Sequence, residues 1–230
     1  MNVLFVDCYL DPKGSLHSFA PVMEALGHTV THWQVAQGTD KPVAPIDCIV
    51  ISGSAASVVD FSIFPWLYTL EQALLDAFAK GTPCLGICFG HQLLAKVLGC
   101  VVKTTKEPEV GWKEIQCVDS ALWRGMPLCF GAFLSHEDAV IEPASTVRVI
   151  AASAQCAVQA FEHRTLPIFG LQFHPEILID EAKSLVEWRK NRHDNISIDL
   201  EHEFSLLQPN SYKQQIFQNF FAVAHKEIRQ

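Results

Sequence analysis

The chain has 230 residues, 49% of them hydrophobic and 18% charged, with a formal net charge of −8. That length and apolar content support a buried core and exclude a disordered or low-complexity chain. The acidic balance, with no Lys/Arg stripe, argues against a nucleic-acid partner, and no apolar run is long enough to imply a membrane. The start, Met1-Asn2-Val3-Leu4-Phe5-Val6-Asp7, lacks a basic region and meets an acid too early for a secretory leader. Eight cysteines are scattered through apolar runs without a C-x-x-C pair, which reads as reduced, buried thiols in a cytoplasmic protein.

Val3 to Cys8 is a short continuous apolar run, as expected of a strand buried on both faces. Ser18 to Leu26 reads as a short helix stopped by Gly27, with Pro21 tolerable only in a first turn. Thr29 to Val35 is β-branched and strand-like, and Cys48 to Ile51 is the next buried strand, ending in Ser52-Gly53-Ser54. Pro65 to Lys80 carries Leu67, Leu70, Leu74, Leu75 and Phe78 at helical spacing, with Gly81 as its stop. A further apolar run, Pro83 to Ile87, meets Cys88, and a helical pattern leaves through Gln92 to Leu98, with Gly99 at the position of a C-cap glycine. This alternation predicts an α/β protein with a doubly wound, mostly parallel sheet flanked by helices.

After Gly99 the pattern changes. Val101–Thr105, 111–118, 128–134, 146–151 and 157–161 are short strand candidates, read as an antiparallel or mixed extension of the sheet. Ile168 to Phe173 returns to the core. Segments 177–192 and 211–228 look helical and are joined by a polar, acid-rich stretch, 193–210. In the last helix Ile216, Phe217, Phe220, Phe221 and Ala224 share a face that suits either a core or a homodimer contact. No internal repeat or linker interrupts the chain, so 1–230 reads as one domain with a helical C-terminal extension at 177–230.

Three stretches carry chemistry. Cys88 stands between Gly86 and Gly90 at a strand-to-helix junction, the G-x-(nucleophile)-x-G elbow with sulfur in place of a serine hydroxyl. A helix N-terminus favours a thiolate there; outside such a context, an apolar cysteine is a packing residue. His174-Pro175-Glu176 places an imidazole and a carboxylate two residues apart in an extended segment, so both project to one side. A thiol nucleophile needs that base and that orienting acid; the alternative is that both residues cap the following helix. Ser52-Gly53-Ser54, at a strand end, is either an ordinary turn or a source of backbone N–H groups for an oxyanion, together with the N–H of Phe89.

Residues 86–95 (Gly-Ile-Cys-Phe-Gly-His-Gln-Leu-Leu-Ala), 172–176 (Gln-Phe-His-Pro-Glu) and 134–138 (Leu-Ser-His-Glu-Asp) together resemble the class I, triad-type glutamine amidotransferases. The likeness is strongest to the glutaminase domain of GMP synthetase and its stand-alone relatives. It covers about positions 1–176 and implies a flavodoxin-like amidotransferase fold. By that resemblance Cys88 is the nucleophile, His174 the general base and then acid, and Glu176 its orienter, while Gln92 and the backbone of Ser135 and His136 hold the amino-acid end of a γ-glutamyl substrate. The implied reaction releases ammonia from the γ-carboxamide of glutamine and hydrolyses a glutamyl thioester, with a separate synthetase as ammonia acceptor. The chain departs from many relatives in carrying Gly53-Ser54-Ala55 where they have Gly-Gly-Pro, which leaves Gly53 and Ser54 both open as oxyanion donors. The longer C-terminal part and Glu109-Val110-Gly111-Trp112 also resemble stand-alone γ-glutamyl peptidases, a second reading, and a non-catalytic binding module is a third. No Walker loop or dinucleotide fingerprint is present, and the ten histidines show no metal-ligand spacing, so neither cofactor nor metal is expected.

Overall fold

A computed structural model describes residues 1–192 and 211–228. The polar stretch expected at 193–210 lies outside the described residues. The strands are β1 (Asn2–Val6), β2 (Thr29–Trp33), β3 (Cys48–Ile51), β4 (Cys84–Ile87), β5 (Val101–Cys117), β6 (Cys129–Glu142), β7 (Val147–Ala152), β8 (Ala160–His163) and β9 (Ile168–Leu171). The helices are α1 (Leu16–Ala25), α2 (Trp66–Ala79), α3 (Phe89–Val97), α4 (Ile179–Arg192) and α5 (Ser211–Ile228). The strands form one sheet in the order β2-β1-β3-β4-β9-β8-β7-β5-β6. The first five are mutually parallel, and the remaining pairings, from β9–β8 outward, are antiparallel.

The central strands are apolar throughout because both their faces are covered. Val3, Phe5, Cys48, Val50, Leu85, Ile87, Phe169 and Leu171 point to a core shared with Phe19 and Met23 of α1 and Ile216, Phe217 and Phe220 of α5. Their neighbours Leu4, Val6, Ile49, Ile51, Cys84 and Ile168 point the other way, to Leu67, Leu70 and Leu74 of α2 and Leu93 and Leu94 of α3. The two-residue alternation divides the strands between two helical layers. The aromatic face of α5 is therefore core. Helix α4 lies over the antiparallel end, where Ala182 and Val186 cover Val110, Trp112 and Phe133.

The structure differs from the sequence reading at four places. Pro21 is the sixth residue of α1 rather than a first-turn residue, and it is tolerated because it lies on the solvent side, as does His17, whose carbonyl loses the helical donor. Strand β2 stops at Trp33, and Val35 opens a short 3₁₀ turn instead. In α2, Ala77 takes the buried position and Leu75 faces solvent. The separate strands expected over 101–105 and 111–118 are one strand, β5, whose pairing with β6 shifts register between Thr104 and Glu109. Pro108 falls inside that irregularity, where a missing N–H costs no ladder bond.

Candidate active site

Four of the five parallel strands, β1, β3, β4 and β9, end at one edge of the sheet, and the chain leaving each delivers part of a single site. Sites in open α/β sheets form at this carboxyl edge. From β4 comes Cys88, the N-cap of α3, with φ 50° and ψ −101°; among the described residues it has the one positive φ outside glycine. Close backbone contact makes the bend possible. A Cβ on Gly86 would lie 2.3 Å from the Gly90 carbonyl oxygen, and one on Gly90 would lie 2.7 Å from that of Ile51. Strand, bend and helix thus touch main chain to main chain, with Gly90 N–H donating to Ser52 carbonyl at 3.2 Å and Cys88 N–H to Leu171 carbonyl at 2.7 Å.

From β9 comes His174, whose Nδ1 lies 2.8 Å from Glu176 Oε1 with both side chains buried. The His174 N–H donates to the Phe133 carbonyl at 2.8 Å, which ties the loop to β6. Gly53, from the end of β3, stands between His174 and Cys88. A Cβ placed there would lie 3.2 Å from His174 Cε1 and 3.8 Å from Cys88 Cβ. The imidazole and the sulfur therefore meet on the same side of the sheet edge. Burial pushes the His174 imidazole down, but the Glu176 carboxylate and the Cys88 sulfur outweigh it and carry it up to about 10. That balance favours an imidazolium held between two acids. Gly53→Ala is expected to lower kcat about 10²-fold by wedging the pair apart, with a smaller change in KM, as steady-state kinetics would register.

The oxyanion candidates lie around the sulfur. Phe89 occupies the first helical position, where an N–H has no intrahelical acceptor. Ser52 Oγ accepts from Cys8 N–H at 2.9 Å and donates to the Gly53 carbonyl at 2.8 Å. Anchoring that carbonyl fixes the Gly53–Ser54 peptide plane, so the Ser54 N–H is held pointing the opposite way. Of the residues expected at the amino-acid end of the substrate, Ser135 presents its carbonyl 3.9 Å from Cys88 Sγ. Gln92 Nε2 is engaged within the fold, donating to Asp138 carbonyl at 2.7 Å and to Gln172 Oε1 at 3.1 Å. His136 turns its ring inward, with Nδ1 3.0 Å from the Asp138 carbonyl and Nε2 3.0 Å from Glu109 Oε2.

Several contacts at the site escaped the sequence reading. Gln172 Nε2 donates toward Cys88 Sγ at 3.7 Å. Asp138 accepts from Ser57 Oγ at 2.5 Å and Thr104 Oγ1 at 2.7 Å, joining the loop after β3 to β5. Glu109 gathers His136, Ser153 and Gln159 in a buried cluster. Tyr9, in the turn after β1, has its phenol held well above the usual range by burial and then by Glu176, Cys88, Asp7 and Glu181. His91, next to the elbow, is pushed down to about 3 by burial and packs against Phe161, which leaves it neutral and unsuited as the base. Among the described residues no group of three or more His, Cys, Asp or Glu could hold a metal ion. No described helix is long and apolar enough to cross a membrane.

The glutamine amidotransferase class-I family model matches residues 4–189. A glutamine-hydrolyzing GMP synthase subunit of Sulfolobus acidocaldarius is 45% identical over 147 residues, 62% of this chain and 76% of that one. The protein of the same name from Saccharolobus solfataricus is 38% identical over 141 residues, 60% of this chain and 72% of its own. In structure, a glutamine amidotransferase from Thermotoga maritima superimposes with a TM-score of 0.83 over 97% of both chains at 22% identity, a likeness of fold. The family match runs from β1 through the elbow and the His174–Glu176 pair into α4, and with it the chain is placed as a member of the class-I glutamine amidotransferase family.

Proposed function

We propose that this chain hydrolyses the γ-carboxamide of glutamine through Cys88, His174 and Glu176. The observation that carries the reading is the approach of His174 and Cys88 across Gly53, with Glu176 Oε1 on the far ring nitrogen at 2.8 Å. The Cys88 sulfur, as thiolate, attacks the γ-carbonyl carbon, and the oxygen gathers negative charge among the N–H groups of Phe89 and Gly53 or Ser54. His174 as imidazolium gives its proton to the departing nitrogen, so ammonia leaves and a glutamyl thioester remains. His174, now neutral, takes a proton from water, whose oxygen attacks the thioester. Collapse expels the sulfur and releases glutamate. Glu176 holds the imidazole orientation through both halves and stabilises its charged form. The Ser135 backbone lies at the end that receives the α-amino acid, and Gln92 braces it through Asp138 and Gln172.

Similarity to the glutamine-hydrolyzing GMP synthase subunits supports a separate synthetase chain as the recipient of the ammonia. The test is glutamate release from glutamine, with and without such a synthetase. Wild type is expected to release glutamate and Cys88→Ala to release none above background. Equal rates in the two would remove Cys88 from the chemistry.

A further inference from the structure

Helix α5 starts beyond the residues that match the family, yet its first turn returns to the proposed triad. Lys213 Nζ donates to the main-chain carbonyl of Glu176, and also, at 3.4 Å, to that of Ser18 in α1. Tyr212 and Lys213 share a cleft with His174, Pro175 and Ile177, and the Tyr212 ring lies 5.6 Å from Phe130. The helix that delivers them is firmly seated. Ile216, Phe217 and Phe220 are buried in the core, and Asn219 Nδ2 donates to the carbonyls of Leu122 and Arg124 at 2.8 and 2.9 Å.

Resting on the glutaminase reading, we infer that Lys213 is a positioning residue of this site. It fixes the Glu176 segment through the carbonyl and sets a positive charge at the acid end of the Cys88–His174–Glu176 array. The charges around it are mostly negative. Glu176 follows β9 and Glu181 comes from α4, while the Tyr9 phenol after β1, which faces both acids, keeps its proton and adds no charge. From α1, His17 Nε2 lies 3.4 Å from Glu181 Oε1 and Ser18 Oγ donates to the same oxygen at 3.2 Å. Burial pulls the Lys213 ammonium down, and Glu176 and Glu181 work against that pull. Without Lys213 the acids are less compensated, so thiol and imidazolium both hold their protons more tightly. Both limbs of the kcat/KM profile then move to higher pH.

The experiment measures kcat/KM for glutamine against pH in wild type, Lys213→Met, Lys213→Arg and Asn219→Ala. Lys213→Met is expected to move both limbs up by about half a pH unit or more. Its kcat is expected to fall about fivefold to tenfold, with KM within about twofold. Lys213→Arg restores the limbs. Asn219→Ala, which loosens α5 without touching the charge, lowers Tm and leaves the limbs in place. The inference is overturned if Lys213→Met keeps the wild-type limbs, or if Asn219→Ala moves them as far. The pH dependence of Cys88 alkylation by iodoacetamide reads the same proton balance without glutamine. A wild type that releases no glutamate therefore removes the glutaminase reading, while the alkylation curves still decide the role of Lys213.

Discussion

Cys88→Gly is expected to raise the melting temperature and abolish glutamate release together. At φ 50° and ψ −101° the cysteine sits in a region that L residues occupy at a cost of about 1–3 kcal/mol. Glycine adopts positive φ freely. The loss of the buried Cβ and sulfur offsets about 1 kcal/mol of that relief. A net gain of about 1 kcal/mol corresponds to a rise of about 2–4 °C for a chain of this size. Activity falls about 10⁴-fold or more, because only binding and oxyanion donors remain. Cys88→Ala, which keeps the strain, loses the same activity without the thermal gain. Scanning calorimetry beside a glutamate assay checks both halves. A Cys88→Gly protein that melts below Cys88→Ala would show that the bend carries no strain.

Glu176→Gln separates orientation from charge. The amide keeps its shape near His174 Nδ1, but it removes the carboxylate that does most to raise the imidazole toward about 10. The imidazolium then gives up its proton at lower pH, and the basic limb of the kcat profile moves down. We expect kcat to fall about 10²–10⁴-fold, because the ring loses both its fixed tautomer and its counter-charge. Stability follows the same sign. A histidine whose folded-state value lies above the unfolded 6.5 contributes stability that is complete below 6.5 and is lost as pH rises toward about 10. Wild type should therefore lose stability across that window, and Glu176→Gln should lose less. Urea melts at pH 6, 8 and 10 measure it, and parallel slopes for the two proteins would contradict the pairing.

The parts of this site that were legible in the sequence are those whose geometry is local. The bend at Cys88 is written into Gly86 and Gly90, and the His174–Glu176 pair needs only an extended segment and a spacing of two. The continuous apolar runs of β1, β3, β4 and β9 similarly declare strands covered on both faces. What could not be read comes from register between distant segments. Gln172 was visible as part of a motif, but its approach to the sulfur depends on β9 lying beside β4. Asp138 joins Ser57 and Thr104 only because β6 folds back along β5. Lys213 reaches Glu176 across 37 positions of sequence, and no periodicity records such a contact. Strand β5 was read in pieces because Lys106 to Pro108 breaks both alternation and propensity where the pairing shifts.

Alkylation by a γ-glutamyl chloromethyl ketone tests the central claim most directly, with the modified residue located by peptide mass spectrometry. The other cysteines are poor competitors. Burial holds Cys48 up at about 12 and Cys156 at about 11, and exposed Cys129 is also raised, by desolvation and by Glu114. The predicted result is modification of Cys88 alone, slowed by glutamine and matched one for one by loss of glutamate release. Modification at another cysteine, or full activity after Cys88 is capped, would contradict it.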